Sequence, residues 1–232
     1  MEGFTYVDIF ATKGIEYLLV IGALLLFVPF IRLLTSSPKG TSAYEAIAST
    51  ASSIRDWFRF PEEIYYHQGH SWVLPEGDGI VKVGLDDFAA KLLGRVKGVV
   101  LPEVGSSVEQ GEEAWRLDVD SKSIPMLSPI SGEVVEVNEE ISRSPETISV
   151  DPYEKGWLLK VRARKAKKDL KNLLFGRMSR AWLNETVDAL REMMGHDLGV
   201  VCQDGGVPVD GMARSLDKEN WDKIVKSFFL VE

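Results

Sequence analysis

Residue types that most often carry chemistry are scarce in this sequence. Its single cysteine, Cys202, excludes an internal disulfide framework and any multi-cysteine metal or iron–sulfur site. The three histidines, His67, His70 and His196, leave little material for a metal centre. No nucleophile stands in a recognisable pattern with a general base. The sequence therefore predicts a protein that is not an enzyme and holds no metal.

Composition and charge exclude two further classes of protein. Of the 232 residues, 45% are hydrophobic and 27% are charged, which is ordinary for a chain that buries a core rather than a disordered one. The formal net charge is −8. A nucleic-acid-binding surface needs a basic face to meet the phosphates, so we expect no nucleic-acid partner.

The N-terminal region contains a long apolar run. Residues 17–31 carry no charge, and Glu16 and Arg32 bracket them. With the apolar neighbours on either side, residues 15–34 are long enough to cross a hydrocarbon layer about 30 Å thick. We therefore predict a single transmembrane helix over 15–34, with the lipid bilayer as one partner.

Two alternatives to a membrane anchor remain for this run. One is a cleaved signal peptide, although Glu2 and Asp8 deprive its start of the usual basic character. The other is a buried helix of a soluble domain. For an anchor, the bases Arg32 and Lys39 after the run, against Lys13 before it, indicate that the C-terminal part is cytoplasmic. We thus expect a single-pass protein of the inner (cytoplasmic) membrane.

The rest of the chain changes character twice. Turn signals recur at intervals of about ten residues between 63 and 161, which is typical of a small barrel or sandwich. Asp86–Leu93 reads as the one short helix there, and residues from Lys165 to Met194 read as an amphipathic helix. Asp217 is predicted to cap a final helix. The predicted segments are a tail (1–14), the transmembrane helix (15–34), a linker with an amphipathic helix (35–62), a β domain (63–164) and a C-terminal helical extension (165–232).

The β segment resembles the H protein of the glycine cleavage system, and the resemblance rests on motifs in the family's order. It covers about a hundred residues, and the number of ordered matches makes it specific although each motif alone is weak. The matching motifs are His70-Ser71-Trp72 with Gly77-Asp78, Val83–Ala89 with Leu93-Gly94, Leu101–Gly105, Val108–Glu112, Ser128–Asn138, and Asp151-Pro152-Tyr153 with Gly156-Trp157-Leu158.

The resemblance implies a mainly β fold of the barrel-sandwich hybrid type, in which one hairpin presents a lysine that carries lipoate. In the register without gaps, the lysine position falls on Ser121 and the motif's acidic residue on Asp118. Lys122 is the attachment candidate if gaps are allowed, with Asp120 and Ser123 as its neighbours. A slip of one residue in a hairpin turns a side chain to the opposite face, so the two registers differ in chemistry.

Two functions follow from the resemblance and from the flanking segments. A diffusing shuttle needs neither an anchor nor an extension, so we favour a non-catalytic scaffold in a membrane-associated redox complex, with other subunits as partners. The alternative is a membrane-tethered carrier, with lipoyl on Lys122, that passes groups or electrons between enzymes. Lipoate is thus a possible cofactor, and the ungapped register favours its absence.

Overall fold

A computed structural model gives the structure of this protein, and the chain divides into two units, residues 1–49 and 50–232. The described residues are 17–27, 30, 56–194, 202–203, 207–208 and 210–231.

Residues 17–27 of the first unit are helical, and their side chains are exposed, for example Leu25 at 71%. Within the part of the chain that the structure describes, no helix is both long and apolar enough to cross a bilayer. The transmembrane helix over 15–34 extends past the described residues at both ends and stays a prediction. Of the segment 35–62, in which an amphipathic helix is expected, the structure describes 56–62, and of these 56–57 are helical.

The second unit is built on two antiparallel sheets. Their strands are β1 (Tyr65–Tyr66), β2 (Ser71–Gly77), β3 (Ile80–Leu85), β4 (Gly98–Val100), β5 (Ser107–Val108), β6 (Glu113–Val119), β7 (Lys122–Leu127), β8 (Gly132–Val137) and β9 (Trp157–Ala163). One sheet has the strand order β1-β2-β3-β9-β8-β5, and the other has the order β4-β6-β7. This confirms a sheet-rich fold of the kind the sequence predicts.

The core lies between these sheets because their strands alternate inward and outward. In β6 the side chains of Trp115, Leu117 and Val119 are buried, whereas Arg116 between them is exposed. This period of two is the expected consequence of the pleat. Gly84 also places its backbone against the indole of Trp72, since a Cβ there would come 2.4 Å from the ring.

Helix α1 (Asp87–Leu93) follows β3, close to where the sequence predicts it. The Asp86 carboxylate accepts a hydrogen bond from the Ala89 backbone N–H and so caps the first turn. Gly94 ends the helix with a φ of 72°, which glycine adopts without a steric penalty.

The prediction of a single short helix in this domain was wrong. Two more, α2 (Glu139–Arg143) and α3 (Thr147–Val150), lie between β8 and β9. The Asn138 side chain caps α2 through the Glu140 backbone N–H. Sequence reading missed them because segments of five and four residues are too short to show helical periodicity.

The continuous amphipathic helix expected from Lys165 to Met194 is also interrupted. The structure has α4 (Ala166–Asp169), a 3₁₀ turn (Leu170–Asn172) and α5 (Arg177–Met194). The break falls where Leu174 forms backbone hydrogen bonds with Tyr66 and where Gly176 has a φ of 57°. Pairing with the sheet edge therefore overrides local helical preference.

The extension continues with β10 (Cys202–Gln203), paired antiparallel with β11 (Val207–Pro208), then α6 (Met212–Leu216) and α7 (Trp221–Phe229). Asp217 does not cap the last helix as predicted. Its carboxylate instead accepts backbone hydrogen bonds from Glu219 and Asn220, in the turn before α7. Helix α7 packs on β7, with Trp221 and Phe229 among its buried side chains.

Candidate carrier hairpin

The hairpin β6–β7 is the place where the sequence predicts a carrier site. Val119 pairs with Lys122, so the connection consists of only two residues, Asp120 and Ser121. Asp120 has a φ of 55°, in the left-handed region that aspartate tolerates better than most residues. The tip of the hairpin is therefore short and closely defined.

Both of the tip residues are exposed, and Ser121 occupies the position that the ungapped register gives to the carrier lysine. Lys122 is the first residue of β7 and lies beside the tip rather than on it. Because a hydroxyl group cannot form the amide that holds lipoate, the side chain at the tip offers no attachment point.

The Lys122 ammonium group is bound by the C-terminal extension. It forms an ion pair with the Asp222 carboxylate and donates a hydrogen bond of 2.9 Å to the Glu219 backbone carbonyl. It also lies 5.4 Å from the centroid of the Trp221 ring, within the range of a cation–π contact. Lys122 is thus held by three different contacts from one short stretch around the start of α7.

The Asp120 carboxylate at the tip is held in the same way. Arg214 in α6 donates to one of its oxygens at 2.6 Å, and the Lys97 ammonium lies 3.2 Å from the other. The hydrogen bond from Arg214, and then that from Lys97, lower the pKa of Asp120. The hydrogen bond from Lys122 likewise lowers the pKa of Asp222. Two hairpin residues of opposite charge, Asp120 and Lys122, are therefore each bound by a charged side chain of the extension.

The other two predicted site residues play smaller parts. Asp118 and Ser123 are paired across the hairpin, and Ser123 is exposed. Asp118 is partly buried beside Gly98, where a Cβ would come 3.3 Å from its carboxylate. The structure thus brings all five predicted residues together around one turn.

Sequence reasoning missed the partners of this hairpin, Arg214, Glu219, Trp221 and Asp222. Asp222 is 100 residues away from Lys122 in the chain, and no local pattern links the two. Only opposite charge could have suggested the pair, and many other acids in the chain match as well. In the described part of the chain, no group of three or more His, Cys, Asp or Glu residues is placed to hold a metal ion.

Two antiparallel sheets, one of which presents a short hairpin with an exposed tip, fit a carrier-type β domain. The comparisons with known proteins give the family. The family model for the glycine cleavage H-protein matches residues 64–186, which is more than half of the chain, and the chain belongs to this family. The match runs past the β strands into α5 and ends before the last two helices.

Two relatives agree with this assignment, and one solved structure is also similar. The glycine cleavage system H protein of Alteromonas mediterranea is 44% identical over 103 residues, which are 44% of this chain and 80% of that protein. The probable H protein of Pyrococcus furiosus is 41% identical over 117 residues, 50% of this chain and 87% of that protein. The crystal structure of the H protein from Mycobacterium marinum is 34% identical, with a TM-score of 0.43, and the match covers 45% of this chain and 87% of that one.

H proteins are lipoyl carriers that are not themselves catalytic, and the family carries lipoate on a lysine. The family thereby accounts for the fold. Here the tip holds Ser121, and the adjacent Lys122 is engaged by the extension.

Proposed function

We propose that this protein is a membrane-anchored, non-catalytic H-protein-like subunit that serves as a scaffold in a membrane-associated redox complex. In this proposal the hairpin carries no lipoyl group. The extension that covers the hairpin turns a mobile carrier site into a fixed part of the structure.

The observation that carries the proposal is that the extension binds the Lys122 amine. A lysine that receives lipoate must present its amine to a modifying enzyme. The Lys122 side chain is 32% exposed, and its amine is bound by Asp222 and by the Glu219 carbonyl. Modification would remove the charge of the amine and leave the Asp222 carboxylate without its partner, which is unfavourable at a partly buried site. These contacts favour an unmodified lysine.

The membrane part of the proposal rests on the apolar run at 15–34. An anchor raises the concentration of the domain near partners in the same membrane, which suits a fixed subunit better than a shuttle. The partners are other subunits of the complex, and the compartment is the cytoplasmic side of the inner membrane.

The second candidate is a tethered lipoyl carrier modified at Lys122. Family membership favours it, because the family carries lipoate on a lysine and the sequence resemblance places that lysine in this hairpin. Lys122 is only one residue from the tip, and release of α7 would expose its amine.

The intact mass of the native full-length protein separates the two functions. The scaffold proposal expects the unmodified mass and a complex that stays assembled and active when Lys122 is replaced by arginine. Arginine keeps the charge that pairs with Asp222 but cannot form a lipoyl amide.

Lys82→Arg is the matched control, since Lys82 is also a strand lysine with an acidic partner, Glu76, at 2.8 Å. If the mass shows a lipoyl adduct on Lys122, and only Lys122→Arg abolishes function in an assembled complex, then the carrier replaces the scaffold.

A further inference from the structure

A groove lies away from the carrier hairpin, between α5 and the end of α7. Its volume is about 360 Å³, which falls within the range of small-molecule sites. Neither the family assignment nor the scaffold role makes use of it. Its lining residues are Gln68, His70, Trp182, Glu185, Thr186, Ala189, Ser227, Phe228 and Leu230.

His70 is the residue of this groove that is most tightly fixed. Its side chain is 1% exposed, and Nδ1 lies 2.8 Å from the Asp86 carboxylate, which is itself fully buried. The imidazole stacks on Phe88 with centroids 4.5 Å apart and packs against Trp182 at 4.7 Å. Asp86 also caps α1, so the carboxylate that orients the ring cannot move freely.

The backbone of His70 adds a second, independent observation. Its φ is 63°, in the left-handed region that few residues other than glycine adopt. Residues held in such conformations concentrate at functional sites, because the surrounding structure must stabilise them. The turn is fixed by the hydrogen bond from His70 N–H to the His67 carbonyl.

The groove offers several hydrogen-bond acceptors beside the donor N–H groups of Gln68 and Trp182. When Nδ1–H of a neutral imidazole donates to Asp86, Nε2 presents a lone pair. The structure shows no hydrogen bond to this second nitrogen from any described residue. The Thr186 hydroxyl donates to the Trp182 carbonyl and the Ser227 hydroxyl to the Ile224 carbonyl, so both oxygens can only accept from a ligand.

The walls of the groove are aromatic, and the carboxylate at its edge is unfavourable for anions. Trp182 and Phe228 offer flat surfaces on which a ring can stack. Apart from His70, only Glu185 among the lining residues can carry a charge. A planar ligand that carries a hydrogen-bond donor and no negative charge therefore fits this groove.

We infer that this groove binds a ring compound of one or two fused rings that carries a hydroxyl group, of the phenol or hydroquinone class. The ring stacks along Trp182 and Phe228, and its hydroxyl group donates to Nε2 of His70. Asp86 acts as a positioning residue that keeps Nδ1 as the donor and Nε2 as the acceptor. This inference does not depend on the scaffold role of the protein.

The test uses 2-naphthol as the probe and 2-methoxynaphthalene as its matched analogue, which has the same rings but no O–H donor. Binding is followed on the full-length protein through the ¹⁵N-imidazole resonances, and the three histidines keep the spectrum simple. We expect 2-naphthol to shift the His70 resonances and the methoxy analogue to bind at least tenfold more weakly.

Two substitutions probe the groove from different sides. Ala189→Trp fills it from an exposed position of α5, and Ala181→Trp is the control on the same helix outside the groove. In His70→Asn, the asparagine tolerates a positive φ and its amide can still donate a hydrogen bond to Asp86, but the acceptor Nε2 is lost. Ala189→Trp and His70→Asn should each weaken 2-naphthol binding at least tenfold, and Ala181→Trp should weaken it by less than twofold. Because His70→Asn lacks the reporting imidazole, its binding is followed through the change that 2-naphthol causes in the signal of the Trp182 indole.

Three results would overturn the inference. They are unchanged His70 resonances at saturating 2-naphthol, equal affinity for the methoxy analogue, and wild-type affinity of Ala189→Trp.

Discussion

The Lys122 ammonium group at the start of the carrier hairpin is paired with the Asp222 carboxylate in the last helix. The helix that supplies this carboxylate follows the segment matched by the family model, which ends at residue 186. A part of the chain outside the family match thus holds the lysine beside the tip of this hairpin.

Removing the charge of Asp222 should loosen the extension from the hairpin. Asp222→Asn leaves Lys122 with the Glu219 carbonyl and the Trp221 ring alone. The two side chains are 32% and 22% exposed, so solvent screens the pair, and we expect a loss of about 1 kcal/mol in unfolding free energy. For a chain of this size the melting temperature should fall by about 2–4 °C. Glu154→Gln, an exposed acid that forms no ion pair with any described residue, is the control, and an equal shift there would rule out a specific role for Asp222.

Acid should weaken the same contacts. The pKa values of Asp120, Asp217 and Asp222 are all lowered in the folded protein by the hydrogen bonds they accept. A lowered pKa contributes stability that is complete above the unfolded-state pKa of about 3.9 and is lost as the pH falls through the folded value. We therefore expect the unfolding free energy to fall below about pH 4, and to fall less steeply in Asp222→Asn. Chemical denaturation at a series of pH values measures the unfolding free energy of both proteins. An identical fall with decreasing pH in the two proteins would contradict this expectation.

A lysine on the tip should behave differently from Lys122. Ser121→Lys places an amine at an exposed turn position, where the ungapped register predicts the lipoyl lysine of the family. In cells that contain a lipoylating enzyme we expect an adduct at residue 121, measured by intact mass and peptide mapping. Ser123→Lys, also exposed but displaced along β7, is the control and should stay unmodified. An adduct on both variants, or on neither, would show that the tip position is not what the enzyme selects.

Gly84 should tolerate no side chain. A Cβ there would lie 2.4 Å from the Trp72 ring, so Gly84→Ala forces a shift in a fully buried residue. Overpacking of this kind costs about 1–3 kcal/mol. Trp72→Phe removes the atoms in conflict, so the double variant should be more stable than the sum of the two single losses predicts. Unfolding free energies are measured by urea denaturation. If the loss in the double variant equals the sum of the two single losses, the strain does not arise between residue 84 and Trp72.

The predicted anchor implies a membrane topology in which the β domain is cytoplasmic. In a Cys202→Ser background, Glu154→Cys supplies a thiol at an exposed turn of the β domain. If this domain is cytoplasmic, a membrane-impermeant maleimide should label that thiol only after permeabilisation. Thr5→Cys, before the apolar run, should be labelled in intact cells. The reverse pattern would invert the topology, and extraction of the unmodified chain by alkaline carbonate would argue against a spanning anchor.

The β domain was predictable because its signals are local. The run Gly77-Asp78-Gly79 predicts a tight turn, and all three residues have a positive φ in the structure. Asp86 and Gly94 bracket α1 by capping chemistry that operates within a few residues. The short helices α2 and α3 and the break before α5 were missed, since tertiary contacts such as the pairing of Leu174 with Tyr66 decide them.

By itself, the sequence determined the family, the run of strands and turns, and the presence of Ser121 rather than lysine in the ungapped register. These features depend on residue order and on interactions between near neighbours. Only the tertiary structure decided what surrounds Lys122 and His70. Asp222 and Arg214 lie about a hundred positions from the hairpin, at separations of 100 and 94 residues. Which of many acids and bases meet across such distances depends on how whole helices pack, because the Coulomb energy of a screened pair is too small to select its partner alone.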